Sequence, residues 1–495
     1  MRHRLWVIAS ALAATAAVGY AQMDGYAPST LSRSETGRAF LQVLSLLDQH
    51  YLTEVDREKV LRGAIQGALG SLEDEFTYYE EPQDNQTDAE NLSGEFYGIG
   101  VTLEAPERGS KGARVGNVYR GGAAGDAGVK MGDVFVKVDG EDVTGMDLDD
   151  IVRLVRGPKG SNVEITFDRD GKPYTVKMGR RAVPNVSVQT TMLQGNVGYI
   201  ALVSFYNEKA AEQFRAAVAD MKAKGVNKLI LDLRDNGGGL LNAGVDVADQ
   251  FLSTGPIVSL SDRSGKEALY GRATDRKTDY TGQLVLLLNS NSASASEVVA
   301  GALQDQKRAT IIGEKSFGKG VAQMPYDLAD GGSVRIVSSE WITPAGRHIN
   351  KDGIHPDIAV KDTRYQAPLS FMGVGAKPGT EVVLTVDGQQ LRAVANEDGQ
   401  FEYVGEFDRP DRSDVLGVAT VELDRDAQLR AALQYLGSGK VDPALVMTPE
   451  QLEADSHTGS AHQDDALKPS SAPTTETPKA DITAPQTPAP VPARP

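Results

Sequence analysis

Four serines lie within seven residues, at positions 290, 292, 294 and 296, in the stretch NSNSASASEVVAGALQD. The apolar residues before them, QLVLLLN, are typical of a buried strand, and the residues after them have the apolar spacing of a helix. A serine at a helix N-terminus lies beside unpaired backbone N–H groups and the positive end of the helix dipole, which favour a developing negative charge. Ser294, at the expected start of the helix, is therefore a candidate nucleophile.

The same stretch also has a purely structural interpretation. Ser294 and Glu297 form the pattern S-x-x-E ahead of an apolar run, which is the sequence signature of a capping box. From this stretch alone a helix cap is favoured over catalysis, because short motifs often occur without the function they suggest. A catalytic role requires a base and a place for the oxyanion elsewhere in the chain.

Two kinds of side chain could serve as that base. His348 and His355, in GRHINKDGIHPD, are the histidines near the expected core, and neither is arranged as the obvious base of a Ser-His-Asp triad. Lys319 lies between two glycines in GEKSFGKGVAQ, and burial can lower the pKa of a lysine until its neutral amine accepts a proton. A solvated surface lysine is the alternative, so a Ser-His hydrolase stays open beside a serine–lysine enzyme.

A glycine-rich turn could supply the oxyanion site. The stretch LDLRDNGGGLL, residues 231–241, places three glycines between an expected strand and an expected helix. Glycines allow the backbone to approach a ligand closely and to point its N–H groups at it. The alternative is a tight strand-to-helix turn with no further role.

The composition excludes several classes of site and partner. The 495 residues include no cysteine, which excludes disulfides, thiolate catalysis and Cys-ligated metal centres. The net charge of −17 without a long basic run argues against nucleic acid as a partner. The basic start MRHR, followed by the apolar run LWVIASALAATAAVGYA, indicates a secretory signal cleaved after Ala21, with an uncleaved anchor as the alternative. We expect the bacterial periplasm or cell envelope, with membrane association if the signal is retained.

The rest of the chain divides into blocks by pattern. Strands and helices alternate over residues 183–362, and their near-continuous apolar strands indicate an α/β core. The two N-terminal helices either cap the chain or pack on another domain or a second subunit. The other predicted blocks are an N-terminal helical region at 34–80, a polar linker at 80–94, a β-rich domain at 95–181, a strand-rich segment of unknown role at 363–424, a helix at 425–440 and a disordered Pro/Thr/Ala-rich tail at 447–495.

These motifs, in this order, resemble the C-terminal processing peptidases, also called tail-specific proteases. The resemblance rests on LDLRDNGGGLL, NSNSASASEVVAGALQD, GEKSFGKGVAQ and TPAGRHINKDGIHPDI. It covers about residues 38–362 and the helix near residue 430. It implies a serine–lysine endopeptidase with a crotonase-like α/β core, a preceding PDZ domain, and no metal or organic cofactor.

The resemblance assigns a role to each residue that matches its motifs. Ser294 resembles the family's nucleophile, Lys319 its general base, and Gln323 the glutamine that orients this lysine. Glu297 matches an acidic residue with a supporting role. The implied oxyanion donors are the backbone N–H groups of Ala295 and of one glycine in the 237–239 run, for which we choose Gly238. The same resemblance makes both histidines of GRHINKDGIHPD non-catalytic, and it gives a metal site there little support.

The β-rich domain is similar to a PDZ domain, with FYGIGV as its carboxylate-binding loop. Glycines in such a loop expose N–H groups to a terminal carboxylate, and the next strand pairs with the bound peptide. Ile151 or Leu154, on the helix opposite, would line the side-chain pocket. A core strand whose glycines relieve crowding is the alternative. The predicted peptide-binding residues are Tyr97, Gly98, Ile99, Gly100 and Val101.

Together these interpretations predict an exported serine endopeptidase that binds apolar C-terminal tails of proteins or peptides and cleaves them through an acyl-enzyme. The alternative from another class is a catalytically inactive PDZ scaffold or adaptor in the cell envelope. A homo-oligomer and an adaptor or regulator protein remain open as further partners.

Overall fold

The protein is described here from a computed structural model. It comprises two compact units: the chain up to Pro82 together with Pro325–Ile336, and Gln83–Met324 together with the chain from Val337 onward. The predicted signal segment and most of the predicted tail lie outside the described residues. The residues that the structure describes are 32–93, 95–105, 111–119, 121–169, 171–276, 279–364, 370–386, 389–404, 417–448 and 451.

Two capped helices belong to the first unit. The Ser34 hydroxyl accepts the amide of Gly37, and the Asp56 carboxylate accepts that of Lys59, so each helix begins at a residue type that the N-cap position favours. Apolar side chains of the first helix are largely exposed, Phe40 among them. The elements are α1 (Glu35–His50), α2 (Arg57–Gly70) and β1 (Tyr78–Glu80), a strand that pairs antiparallel with residues 333–335.

The stretch that the sequence predicts as a polar linker is mostly helical, so the linker prediction for residues 80–94 is wrong. Helix α3 spans Pro82–Ser93. The Tyr206 hydroxyl donates to the Asp88 carboxylate at 2.6 Å, and the Glu208 amide donates to the Leu92 carbonyl at 2.9 Å. These contacts stabilise a helix whose sequence has no apolar repeat, which is why periodicity did not reveal it.

The β-rich block of the second unit folds around its own core. Phe135, Ile165 and Phe167 are fully buried there, and the first and last of them pack edge to face at 4.7 Å. Ile151 is also fully buried in this core, which leaves no surface for the pocket contact expected of it. The elements are β2 (Glu95–Gly98), β3 (Val101–Glu104), β4 (Arg114–Val118), α4 (Ala123–Asp126), β5 (Val134–Val138), β6 (Glu141–Asp142), α5 (Leu148–Val155), β7 (Asn162–Arg169), β8 (Lys172–Gly179) and β9 (Arg181–Pro184).

A mainly parallel sheet follows and carries the functional turns. The strands are β10 (Val188–Leu193), β11 (Val197–Leu202), β12 (Lys228–Asp232), β15 (Gln283–Leu288), β16 (Thr310–Gly313) and β19 (Ile358–Ala359). They are ordered β10–β11–β12–β15–β16–β19 across the sheet, and only the edge strand β10 runs antiparallel to its neighbour. Carboxyl ends of parallel strands meet at one edge of a sheet, so the turns after β12 and β15 are neighbours.

Helices cover both faces of this sheet, which explains why its strands are apolar at nearly every position. Leu229 and Leu286 face a core shared with three helices, whereas Ile230 and Val285 face the C-terminal helix. The helices on the first face are α6 (Ala210–Ala223), α7 (Leu241–Ala248) and α8 (Ala295–Asp305), and on the second face α9 (Ala427–Ser438).

Antiparallel strands complete the described chain. Trp341 and Ile342, at the end of one of them, are buried. The remaining strands are β13 (Pro256–Asp262), β14 (Glu267–Arg272), β17 (Val321–Asp327) and β18 (Ser333–Ile342), followed by the pairs β20 (Ser370–Val374) with β23 (Gln400–Val404) and β21 (Glu381–Val386) with β22 (Gln389–Val394). In the described part of the chain, no helix combines the length and apolarity needed to cross a bilayer.

Candidate active site

The serine-rich turn distinguishes one hydroxyl from the others. Ser292 and Ser296 are fully buried, and their hydroxyls donate to the backbone carbonyls of Leu233 and Asn236, both at 2.8 Å. These two serines therefore fasten the turn to the glycine loop. Ser290 is exposed, and Ser294 is partly exposed at the helix start.

Ser294 has a strained backbone. Its φ is +55° and its ψ −114°, a conformation that L-amino acids rarely adopt. Such strain between a strand and a helix lifts a side chain out of the turn, and it occurs preferentially at functional sites. The expected cap is also present, because the Ser294 amide donates to the Glu297 carboxylate at 2.7 Å. This half of the capping box is made by the backbone amide of Ser294 and not by its hydroxyl.

Glu297 connects the serine turn to the lysine segment. Its side chain is fully buried, and its carboxylate accepts hydrogen bonds from both segments. Oε2 accepts the amides of Ser294 at 2.7 Å and Lys319 at 2.9 Å. Oε1 accepts the Gly318 amide at 2.7 Å and the Ser316 hydroxyl at 2.5 Å. Because two amides bind one oxygen atom, the backbones of Ser294 and Lys319 are close neighbours although the residues are 25 positions apart in sequence.

The Lys319 side chain is oriented by neighbours on two strands. Its ammonium or amine Nζ donates to Gln323 Oε1 at 2.8 Å, which is the contact that the family resemblance implies for this glutamine. Its backbone carbonyl accepts the indole N–H of Trp341 at 2.9 Å. The side chain is half-buried. These contacts fix the backbone of Lys319 and the direction of one N–H of its terminal nitrogen.

Burial raises the pKa of the Glu297 carboxyl to about 7, although the hydrogen bonds that its carboxylate accepts act in the opposite direction. The folded chain therefore holds this proton more tightly than the unfolded chain, where the pKa is near its ordinary value of 4.5. The contribution of this group to the free energy of unfolding is fully present below pH 4.5 and is lost as the pH rises through about 7. The whole change corresponds to about 3 kcal/mol.

We expect Glu297→Gln to remove this pH dependence, because a glutamine cannot ionise. Between about pH 5 and pH 8 the wild type should lose about 2 to 3 kcal/mol of unfolding free energy relative to the variant. Urea unfolding of both proteins at the two pH values measures the difference. Glu267→Gln, at an exposed position, is the control and should follow the wild type. Equal pH slopes for the wild type and Glu297→Gln would contradict the prediction.

The glycine loop lies against the serine turn. A Cβ atom on Gly238 would come within 2.8 Å of the Ser294 Cβ and 2.9 Å of the Ala295 nitrogen, so this position has room for glycine alone. Its φ of +97° requires glycine as well. The Gly238 amide donates to Asn236 Oδ1 at 2.9 Å. Its role as an oxyanion donor stays a prediction. That role requires a substrate oxygen to displace Asn236 Oδ1 from the Gly238 N–H or to share this N–H with it.

The second predicted oxyanion donor is the Ala295 amide. It belongs to the first residue of α8, where backbone N–H groups have no partner within the helix. Within the described residues, no acceptor is bonded to this N–H. It adjoins the strained Ser294, and a Cβ built on Gly238 would lie 2.9 Å from its nitrogen. Its role as an oxyanion donor stays a prediction.

The two histidines of the core lie in other surroundings. The His348 ring contacts the Glu340 carboxylate at 3.1 Å, and the His355 ring contacts Asp352 at 3.2 Å. Both rings are more than half exposed. Across the residues that the structure describes, no group of three or more His, Cys, Asp or Glu side chains is arranged to hold a metal ion.

The predicted carboxylate-binding loop connects β2 and β3. The Ile99 carbonyl accepts the Ala124 amide at 2.9 Å, and the Gly100 carbonyl accepts the Tyr119 amide at 3.0 Å, so the carbonyls of the loop point into the domain. Neither the Ile99 nor the Gly100 amide has an acceptor among the described residues. Tyr97 and Val101 are half-buried, and Gly98 is buried. Two adjacent amides without acceptors are suited to a terminal carboxylate, a use that stays a prediction.

Sequence reasoning missed Asn236, which holds the glycine loop in place. It is fully buried, and its side-chain Nδ2 donates to the Leu202 carbonyl at 2.6 Å. Its backbone carbonyl accepts the Ala293 amide at 3.0 Å. The polar run RDN directly after a buried strand was the available signal, because polar groups there must find partners.

Three family models match this chain. Residues 196–360 match peptidase family S41, residues 114–169 match the PDZ domain, and residues 6–84 match the N-terminal domain of the activating protease CtpB. The fold is accordingly a mixed α/β fold with a PDZ domain, and the class of protein is a serine-type peptidase.

Individual relatives specify the family. The chain is 33% identical over 328 residues to the carboxy-terminal processing protease CtpB of Bacillus subtilis, an alignment that covers 65% of this chain and 67% of the relative. It is 36% identical over 333 residues to a carboxy-terminal-processing protease of Bartonella bacilliformis, covering 65% and 74% respectively. The solved photosystem II D1 C-terminal processing protease is 33% identical, with 67% of this chain and 88% of that chain covered and a TM-score of 0.40. The chain belongs to the carboxy-terminal processing proteases.

Proposed function

We propose that this chain is an exported endopeptidase that binds apolar C-terminal tails at its PDZ domain and cleaves them with Ser294 and Lys319. The observation that carries the proposal is the Glu297 carboxylate, which accepts both backbone amides through one oxygen atom. The strained backbone of Ser294 and the backbone of the half-buried Lys319 are neighbours through this carboxylate, which supports the proposed pairing of their side chains. The core is proposed to be crotonase-like, as the family resemblance implies.

The first chemical step is proton transfer. The neutral Lys319 amine takes the proton of the Ser294 hydroxyl, and the oxygen attacks the carbonyl carbon of the scissile peptide bond. A neutral primary amine has one lone pair and two N–H groups. The hydrogen bond to Gln323 uses one N–H and so directs the lone pair away from the glutamine. Gln323 therefore orients the base.

The oxyanion that forms binds the backbone N–H groups of Ala295 and Gly238. Both adjoin the Ser294 side chain, and the positive end of helix α8 adds a favourable potential. Collapse of the tetrahedral intermediate breaks the peptide bond, and the departing amine receives the proton from Lys319. Water then hydrolyses the acyl-enzyme with the same lysine as base. Neither a metal nor an organic cofactor takes part in this scheme.

Substrate capture is assigned to the PDZ domain. The amides of Ile99 and Gly100 would bind the terminal carboxylate, and strand β3 would pair with the tail. Tyr97, Gly98 and Val101 would contact the last apolar residues. Substrates are thus proteins or peptides with apolar C-termini, and self-association and a regulatory partner are further proposals that only the resemblance supports. Export to the periplasm or cell envelope is proposed from the N-terminal sequence alone.

We expect Gly100→Ala to weaken tail capture without affecting the chemistry. Gly100 has φ +79°, and an added Cβ would lie 2.9 Å from the Gly122 Cα, so alanine distorts the loop. For a substrate with an apolar C-terminus, KM should rise about tenfold with little change in kcat. Gly145→Ala, in open space within the same domain, is the matched control. An unchanged KM in Gly100→Ala would contradict the assignment of the loop.

The proposed function is tested by cleavage of a tailed model protein, with products identified by mass spectrometry. The wild type should release fragments from the C-terminal region, and the Ser294→Ala protein should release none. Cleavage by both proteins would refute the proposal. Tail binding by both proteins without cleavage by either would favour the PDZ scaffold.

A further inference from the structure

A buried ion cluster joins the end of strand β12 to the C-terminal helix. The Arg234 guanidinium is almost fully buried and lies between two carboxylates. Its Nε contacts both oxygens of Asp232 at 2.9 and 3.0 Å, and its Nη1 and Nη2 each donate to Asp426 at 2.8 Å. The Tyr199 hydroxyl also donates to Asp232, at 2.6 Å. This bidentate geometry fixes the guanidinium in one orientation.

Asp426 has a second role in the same place. It is the N-cap of α9, where its carboxylate accepts the Leu429 amide at 2.9 Å. Thr363 supports the same helix start, because its hydroxyl accepts the Ala427 amide at 3.0 Å. One carboxylate thus binds a helix start and an arginine 192 positions away.

The cluster continues into the glycine loop. Arg234 is followed by Asp235, which has φ +58°. The Asp235 amide donates to Asn289 Oδ1 at 2.9 Å, and Asn289 Nδ2 donates to Asp235 at 2.7 Å and to Asp362 at 3.0 Å. Arg364 donates to Asp235 at 2.7 Å. The start of the loop that carries Gly238 is therefore held by Asn289, directly after β15, and by Arg364, which follows the parallel sheet in sequence.

The arginines in this cluster lower the pKa values of the carboxyl groups beside them. Burial alone raises the pKa of the Asp232 carboxyl, but the Arg234 guanidinium beside it keeps that pKa below the ordinary range. The Asp362 carboxyl behaves in the same way, since Arg364 outweighs burial and lowers its pKa to about 2. Removal of the Asp426 carboxylate would leave Arg234 Nη1 with only the long contact to Gln428 Oε1 at 3.4 Å and Nη2 with Asp232 alone. A buried guanidinium that loses one of its two carboxylates is destabilised, so the loop that follows it would rearrange.

We propose that Asp426 is a positioning residue for the oxyanion site, acting through Arg234 on the loop that carries Gly238. The inference rests on the proposed function, since it takes this loop as the binding place of the oxyanion. Residues 196–360 match the peptidase family model, so the inference assigns a catalytic contribution to a helix beyond the matched region. Helix α9 then contributes to catalysis by positioning the loop that carries Gly238.

The test is steady-state kinetics of the full-length Asp426→Asn protein beside the binding of a peptide aldehyde, whose tetrahedral adduct requires an oxyanion site. We expect kcat to fall about tenfold with KM within about twofold of the wild type, and the aldehyde affinity to fall about tenfold as well. The matched control is Asp442→Asn, which also alters an aspartate that caps a helical turn of the C-terminal segment but lies at an exposed position. It should change none of the three quantities.

A second variant covers the case in which Asp426→Asn does not fold. Thr363→Ala removes the neighbouring support of the helix start without removing a charge, and kcat should fall about threefold. Unchanged kcat and aldehyde affinity in folded Asp426→Asn or Thr363→Ala would overturn the inference. Ser294→Ala is measured in the same series to separate the two proposals. An inactive Ser294→Ala protein with a fully active Asp426→Asn protein refutes the positioning role alone, whereas an active Ser294→Ala protein refutes both.

Discussion

Replacement of Ser294 by alanine should lower kcat for tail cleavage by about 10⁴-fold or more. The hydroxyl is the only group in the proposed mechanism that bonds to the substrate, so its loss removes the covalent route entirely. What remains is the small acceleration due to substrate binding and the oxyanion donors. Alanine is small and keeps the bond from the residue 294 amide to the Glu297 carboxylate, because the hydroxyl takes no part in that bond. The measurement is single-turnover cleavage of a tailed protein at excess enzyme.

Ser290→Ala is the matched control for this prediction. Ser290 belongs to the same serine-rich turn but is exposed, so the substitution should leave kcat and KM at wild-type values. Thermal unfolding of all three proteins checks that each is folded. Cleavage by Ser294→Ala at more than about one hundredth of the wild-type rate would exclude this hydroxyl as the nucleophile.

Lys319→Met should be nearly as damaging, with kcat lowered by about 10³-fold or more. Methionine keeps the length of the side chain but has no basic nitrogen, so the serine hydroxyl keeps its proton. Lys319→Arg should also be inactive, since a guanidinium stays charged at every accessible pH and cannot accept the proton. The double variant with Ser294→Ala should lose little more than Ser294→Ala alone, because the two residues act as a unit.

Lys315→Met provides the comparison within the same segment. Lys315 is four positions before Lys319 and makes no hydrogen bond to Gln323 in this structure. Its replacement should leave kcat within about twofold of the wild type. Retention of activity in Lys319→Met, or a loss as large in Lys315→Met, would contradict the role of Lys319 as the general base.

The strand-to-helix turns of the core could be anticipated from the sequence because their signals are local. Strands β12 and β15, which end at Asp232 and Leu288, consist almost entirely of apolar residues. In the sequence each is followed by small or polar residues and then by apolar residues at helical spacing. A parallel arrangement brings such turns to one edge. The pairing of Lys319 with Gln323 followed from the family resemblance, and the structure has it at 2.8 Å.

Other features depend on contacts between distant parts of the chain, and local patterns could not reveal them. Helix α3 has no apolar repeat and is held by Tyr206, more than one hundred positions later. The ion pair of Arg234 and Asp426 spans 192 positions. The Gly238 amide donates to the Asn236 side chain, and the pattern of apolar and polar residues does not specify the orientation of that side chain. The strained φ of Ser294 is likewise a consequence of the packed turn.

The most direct measurement is the location of the acyl group in an acid-quenched reaction. A tailed substrate is mixed with excess wild-type enzyme, the reaction is stopped in acid within milliseconds to seconds, and the enzyme is digested and mapped by mass spectrometry. We expect an ester of the substrate fragment on the peptide that contains Ser294, and no such ester with Ser294→Ala. An acyl group on any other residue, or rapid cleavage by the wild type with no acyl-enzyme at any time, would contradict the proposed mechanism.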